Sequence, residues 1–216
     1  MKKIILEKAI EEIKERCFGT TQQYLSVLKI KYENDQPVIS KLEIREKEAI
    51  VYFEIEKERF FFTVYLDTQP EISVRWIDIT PGIRIYLRAI SYDRNTDDLI
   101  SCTKIKPSEV VNMGDQLRYG KGMTSKFHAI TIEPDKELAG SFEEKLKNFV
   151  NILEKDAKGI IKLTKISEVC IQVVPYYYIG NGCIGGFYFE PQIIKRLGKL
   201  NLKIDFDMYV WGEPFR

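Results

Sequence analysis

Few residues in this chain could do chemistry. His128 is the single histidine among 216 residues, and the four cysteines, Cys17, Cys102, Cys170 and Cys183, are widely scattered. One imidazole removes every two-histidine metal site and leaves any triad to be built around His128 alone. Alternation along FHAITIE puts His128 on the face of Ile130 and Ile132. A half-buried strand histidine is more ordinary there than a general base. A cross-strand thiol–imidazole pair would draw on Cys170, and nothing in the sequence argues for one. No serine or cysteine has a nucleophile-elbow context such as GxSxG, and no CxxC pair exists. Asp205 and Asp207 sit two apart on one strand face. Two carboxylates can grip a hard cation or share a proton, but two oxygen donors alone seldom make a site, and aspartates in line also keep an outer face wet. No catalytic residue, metal or cofactor is therefore expected.

YIGNGCIGG, residues 178–186, fits neither GxxxxGK[ST] nor GxGxxG before a helix. A loose hairpin or irregular turn with Asn181-Gly182 at its tip is expected instead. The aromatics are more informative. Phe60-Phe61-Phe62, Tyr176-Tyr177-Tyr178 and Phe187-Tyr188-Phe189 cannot place every ring on one strand face. One set packs in a core; the other covers a second layer or lies at the surface. Tyr86 between Arg84 and Arg88 forms an outward row opposite Ile83, Ile85 and Leu87. Tyr209 and Trp211 continue the row of Asp205 and Asp207. Arg, Tyr and Trp are the residues that interfaces favour.

The elements that must hold these residues follow from periodicity. Leu6, Ile10, Ile13 and Cys17 predict an amphipathic helix over 3–17, broken by FGTTQQY. Strands follow around Leu42 and Ile44, in EAIVYFEIE, in ERFFFTVYLD, in EISVRWIDIT and in GIRIYLRAIS. Their short joints, DTQP and TPG among them, predict an antiparallel meander. TDDLISCTKI predicts a short helix, with Asp97 and Asp98 suited to its N-terminal dipole. KPSEVVNMGDQ predicts a turn of helix opened by Pro107 and ended by Gly114, before strands at 115–120 and 126–133 joined through Gly120 and Gly122. GSFEEKLKNFVNILEK predicts a helix with Ser141 and Glu144 as a capping box and a stripe of Phe142, Leu146, Phe149, Val150 and Leu153. EVCIQVVPYYY is a strand, PQIIKRLG a short helix, and NLKIDFDMYV a closing strand. The class is α+β, with antiparallel sheets, helices on one face, and a ferredoxin-like β-α-β-β-α-β order in the second half. Residues 1–80 form a helix-plus-meander unit and 81–216 the second unit, divided near TPG.

Lys plus Arg total 33 and Asp plus Glu 32, and residues 1–80 hold 13 basic and 15 acidic groups. Neither part has the basic excess of a phosphate-backbone binder, so no nucleic-acid partner is expected. No apolar run is long enough to span a bilayer. MKKIILEKAIEEIKER imitates a signal peptide only until Glu7 and Lys8. The expected location is the cytoplasm, with free buried thiols.

KPSEVVNMGD, the long helix after a polar hairpin, GGFYFEPQIIKRLG and the closing NLKIDFDMYV resemble a bacterial family, domain of unknown function 4279, over roughly residues 83–211. Family members often carry Trp where this chain has His128. The resemblance supplies no catalytic residues and implies a small cytoplasmic bacterial protein of the immunity or accessory kind. The expected function is therefore non-catalytic: contact with a protein partner, toxin-like, or self-association. The surface is Arg84, Tyr86, Arg88, Asp205, Asp207, Tyr209 and Trp211, opposite a helix-covered face carrying Leu202, Ile204, Phe206, Met208 and Val210, and it suits either a protein partner or docking of residues 1–80. The alternative is a small-ligand binder or enzyme with a pocket between the halves, using His128, Asp205 and nearby tyrosines.

Overall fold

The computed structural model describes residues 1–117 and 122–215. The first unit runs α1 (Lys2–Glu15), α2 (Gly19–Tyr24), β1 (Tyr32–Glu33), β2 (Gln36–Pro37), β3 (Ile39–Ile44), β4 (Glu48–Glu54), β5 (Phe61–Asp67) and β6 (Ser73–Thr80). The second runs β7 (Gly82–Ser91), α3 (Thr96–Cys102), β8 (Glu109–Val111), β9 (His128–Ile132), α4 (Phe142–Glu154), α5 (Ala157–Ile166), β10 (Glu168–Tyr178), α6 (Pro191–Lys199), β11 (Lys203–Phe206) and β12 (Tyr209–Trp211).

β3 to β6 form the expected antiparallel meander, in sequence order. Its alternation buries Val51, Phe53, Phe62, Val64, Ile77 and Ile79 beneath Ile5, Ala9 and Ile13 of α1. The other face is also covered: Leu138 and Ala139 close over Ile50, Tyr52 and Phe61. The triple phenylalanine is thereby absorbed, Phe60 and Phe62 into one core and Phe61 into the other. FGTTQQY, expected only to break the first helix, forms α2. Thr21 there gives its hydroxyl to the buried Glu12 carboxylate (2.5 Å), a tertiary bond invisible to periodicity.

At Pro81 the chain changes sheets. The second sheet has the order β11-β10-β7-β9-β8, with β12 also on β10. β10, β7, β9 and β8 pair antiparallel, and α3 and α4–α5 provide the crossovers of two interleaved β-α-β units. The closing strand departs from the antiparallel expectation. α6 carries the chain back across the sheet, so β11 and β12 lie parallel to β10. Among the described residues, the helices of this unit cover one face. Leu146, Phe149 and Leu153 of α4, Ile160 and Leu163 of α5, and Ile193 and Leu197 of α6 pack on Ile85, Leu87, Ile130, Ile171 and Val173. Ser141 caps α4 by accepting from the Glu144 N–H (3.3 Å).

Several local expectations are corrected. Residues 109–111 are strand, not the helical turn predicted in KPSEVVNMGDQ. Val110 and Val111 are β-branched, and the Ser108 N–H reaches the Thr131 carbonyl (2.8 Å) to zip this segment onto β9. The strand predicted at 115–120 is reduced to an isolated bridge, Gln116 with Thr124, and residues 118–121 lie outside the described ones. α5 was not anticipated. Of the two expectations for the Asn181-Gly182 segment, the irregular turn holds and the hairpin does not: the Asn181 N–H turns back to the Tyr178 carbonyl (3.2 Å), no strand follows before α6, and the Asn181 side chain donates to the Ile79 carbonyl (2.8 Å). The thiols are free, but only Cys102 is buried; Cys17 and Cys183 are exposed. The helix layer stops at Phe206, leaving Met208 and Val210 each 54% exposed, against the expectation that helices cover them. Among the described residues no helix is long and apolar enough to cross a membrane.

Candidate functional site

Strand alternation sorts the second sheet into two faces. Ile83, Ile85 and Leu87 point to the helices; Arg84, Tyr86 and Arg88 point the other way. Cross-strand register carries that second face outward. Tyr86 lies opposite Gln172, Gln172 opposite Asp205, and Tyr176 opposite Tyr209. Above it stands the β4–β5 turn, Lys57 to Phe60. The turn comes so close that a Cβ on Gly82 would lie 1.8 Å from the Arg59 carbonyl oxygen. Between turn and sheet runs a groove of about 580 Å³, walled by Arg59, Phe60, Arg84, Tyr86, Tyr176, Asp207, Tyr209 and Trp211.

The groove is organised by cations held on rings. The Arg84 guanidinium grips the buried Glu133 with two parallel bonds, Nε to Oε1 and Nη2 to Oε2, the latter 2.7 Å, and rests 4.5 Å from the Tyr86 ring centre. Hydrogen bonding to Glu133 drives the Arg84 pKa further up, so its charge is permanent. Burial raises the Tyr86 phenol, which stays neutral and able to donate. Arg59 Nη1 donates to the Tyr176 hydroxyl (2.7 Å) and its guanidinium lies 4.8 Å from the same ring. Tyr176 and Tyr209 stack at 5.7 Å, and Trp211 is 62% exposed. Asp207 makes no ion pair among the described residues, while its N–H holds the strand to the Val173 carbonyl (3.0 Å). Such a surface can stack flat groups and exchange hydrogen bonds with them.

Of the residues singled out in the sequence, Arg84, Tyr86, Asp207, Tyr209 and Trp211 converge here. Arg88 and Asp205 share the face but lie outside the groove. Arg88 sits over Phe127 (5.4 Å), and an Asp205 carboxylate oxygen accepts from the Phe206 N–H (3.0 Å). His128 is elsewhere. It pairs with Ser91 at the end of the helix-covered face, and its Nδ1 accepts from the Met113 N–H (3.3 Å). Cys170 lies on the opposite face, in register with Arg88, so no thiol–imidazole pair forms. Among the described residues no group of three or more His, Cys, Asp or Glu is placed to hold a metal ion. Lys57, Glu58, Arg59 and Tyr176 escaped the sequence reading as site residues. The charged EKER turn was the available signal, but nothing local says it leans on the other sheet.

Glu58 carries a titration that can be measured. One carboxylate oxygen is buried without a hydrogen-bond partner among the described residues. Burial first, and repulsion from Glu213 second, raise its pKa above 4.5. A raised carboxyl stabilises the fold while protonated, and that contribution is lost as pH rises through the folded value. At neutral pH the ionised group is therefore a cost. Glu58→Gln is expected to raise the melting temperature by about a degree at pH 7, solvent screening keeping the effect small, and to match the wild type at about pH 3.5. Equal effects at both pH values in calorimetry would contradict this.

No curated protein matches the chain, and no solved structure does. A family model does match, that of domain of unknown function 4279 (DUF4279), over residues 81–211, which takes in β7 to β12 and every groove wall except the 57–60 turn. With more than half its length matched, the chain belongs to the DUF4279 family.

Proposed function

We propose that this chain is a non-catalytic bacterial cytoplasmic protein that works by holding a protein partner, in the manner of an immunity protein that occupies a toxin. One observation carries the reading: Arg59, Arg84, Tyr86, Tyr176, Tyr209 and Trp211 converge on a single groove. Rigid aromatic and arginine side chains are what binding hot spots are made of, and the two arginines are already ordered by Glu133 and Tyr176. The histidine stands apart from this groove. With a net formal charge of +1, nucleic acid is a poor partner.

Affinity capture from source-cell extract tests the reading, with the wild type and a Tyr209→Ala/Trp211→Ala variant as bait. One protein retained by the wild type is expected. The same protein, purified, should bind the variant more weakly by about thirtyfold or more, as loss of a hot-spot ring implies. Equal capture by both baits, or none, would count against it. A second reading has its own support, because about 580 Å³ lies within the usual span of small-ligand sites. It requires a metabolite that raises the melting temperature of the wild type and not of the variant.

A further inference from the structure

The closing strand offers more than its groove face. The Asp207 N–H reaches the Val173 carbonyl (3.0 Å), and the Trp211 carbonyl receives the Ile179 N–H (2.8 Å). Odd-numbered residues thus turn their backbone groups toward β10. Met208 and Val210, at the alternate positions, turn theirs to the open edge of the sheet. Sheet edges are commonly guarded by charge, proline or a bulge. Here Lys203, Asp205 and Asp207 guard the first half only. From Met208 to Trp211 the edge is apolar and exposed on both faces, with Tyr209 49% and Trp211 62% accessible.

We propose that this edge accepts one further strand, an extended segment of a partner protein with apolar residues at alternate positions and Lys or Arg between them. Its apolar residues lie beside Met208 and Val210 on one face, its basic residues beside Asp205 and Asp207 on the other. Main-chain bonds to the N–H and C=O groups of Met208 and Val210 supply the affinity. The sign of the charge follows from the strand. Asp205, Asp207 and Glu213 have no ion-pair partner among the described residues, and Lys203 is the lone base from 203 to 213. A second copy of the chain brings the same net acidic strand, so a basic segment is the better electrostatic match.

The inference rests on the binding reading above and is tested separately from it. The probe is an end-blocked, fluorescein-labelled octapeptide alternating valine and lysine, followed by anisotropy; the control alternates valine and glutamate. The lysine peptide is expected to bind, and the glutamate peptide to bind at least about tenfold more weakly. Val210→Pro removes an N–H that faces solvent and no internal ladder bond, so it is expected to fold normally and lose the peptide. Asp207→Asn is expected to weaken binding by about threefold. Failure of the lysine peptide to bind, equal binding of both peptides, or binding retained by a folded Val210→Pro overturns the proposal. A concentration-dependent dimer that Val210→Pro abolishes, without peptide binding, gives the edge to a second copy and also overturns it. Full-strength partner capture by Val210→Pro, whose groove side chains are untouched, together with failed peptide binding sinks the edge and spares the groove.

Discussion

Gly82→Ala is expected to destabilise the protein by about 3 kcal/mol or more and to open the groove. The added Cβ would meet the Arg59 carbonyl oxygen at 1.8 Å and the Arg59 carbonyl carbon at 3.0 Å. Both are backbone atoms, which cannot swing aside as a long side chain can. Either β7 leaves β10, to which it is paired from Gly82 to Ile90, or the 57–60 turn lifts. The second route is cheaper, and it carries Arg59 off the Tyr176 ring. Chemical denaturation gives the stability, and, under the proposed function, weakened partner capture reports the turn. Gly198→Ala is the control, since a Cβ there meets nothing within 4 Å and alanine is the better helix former in α6. Equal stability of the two variants would refute the account.

Tyr178→Ala is expected to cost about 4 kcal/mol, and Tyr178→Phe about 1 kcal/mol. Tyr178 belongs to β10 of the second sheet, yet its ring is 1% exposed within the core of the first unit. It touches Phe60 (5.2 Å), Phe215 (5.8 Å) and Tyr24 (6.1 Å), and its hydroxyl donates to the Glu213 carbonyl (2.9 Å). Removing the ring opens a cavity at the seam between the units and frees the segment after β12. The phenylalanine variant isolates the hydrogen bond from the packing. A single two-state denaturation series on the three proteins measures both, and an alanine variant within about 1 kcal/mol of wild type would contradict the seam.

What could be read from the residues was whatever is local. Alternation placed β3 to β7 and β10, and a serine cap with an apolar stripe placed α4, because those signals sit inside each element. It also put Arg84 and Tyr86 on one face of their strand, and His128 with Ile130 and Ile132 on one face of theirs. Where a segment's state depends on a distant partner, the reading failed. Val110 and Val111 become strand because Ser108 zips to Thr131, and α2 forms where Thr21 reaches Glu12. Met208 and Val210 followed the apolar alternation faithfully, but how far the helix layer extends is set by α6 and by Phe142, Phe187 and Phe189 around Phe206. The groove was half legible for the same reason. Its floor is one sheet face, while its upper wall is a turn from the other unit.

That division of the groove has a consequence in time. Its walls come from residues 57–60, 84–86, 174–176 and 207–211. At ribosomal rates of about 5–20 residues per second, the closing wall emerges on the order of ten seconds after the turn that faces it. Until then the nascent chain has a foldable meander and no closed groove. Closure joins distant stretches of sequence, so it is a late and comparatively slow event. Under the proposed function, a partner would meet a complete groove only after synthesis has passed Trp211.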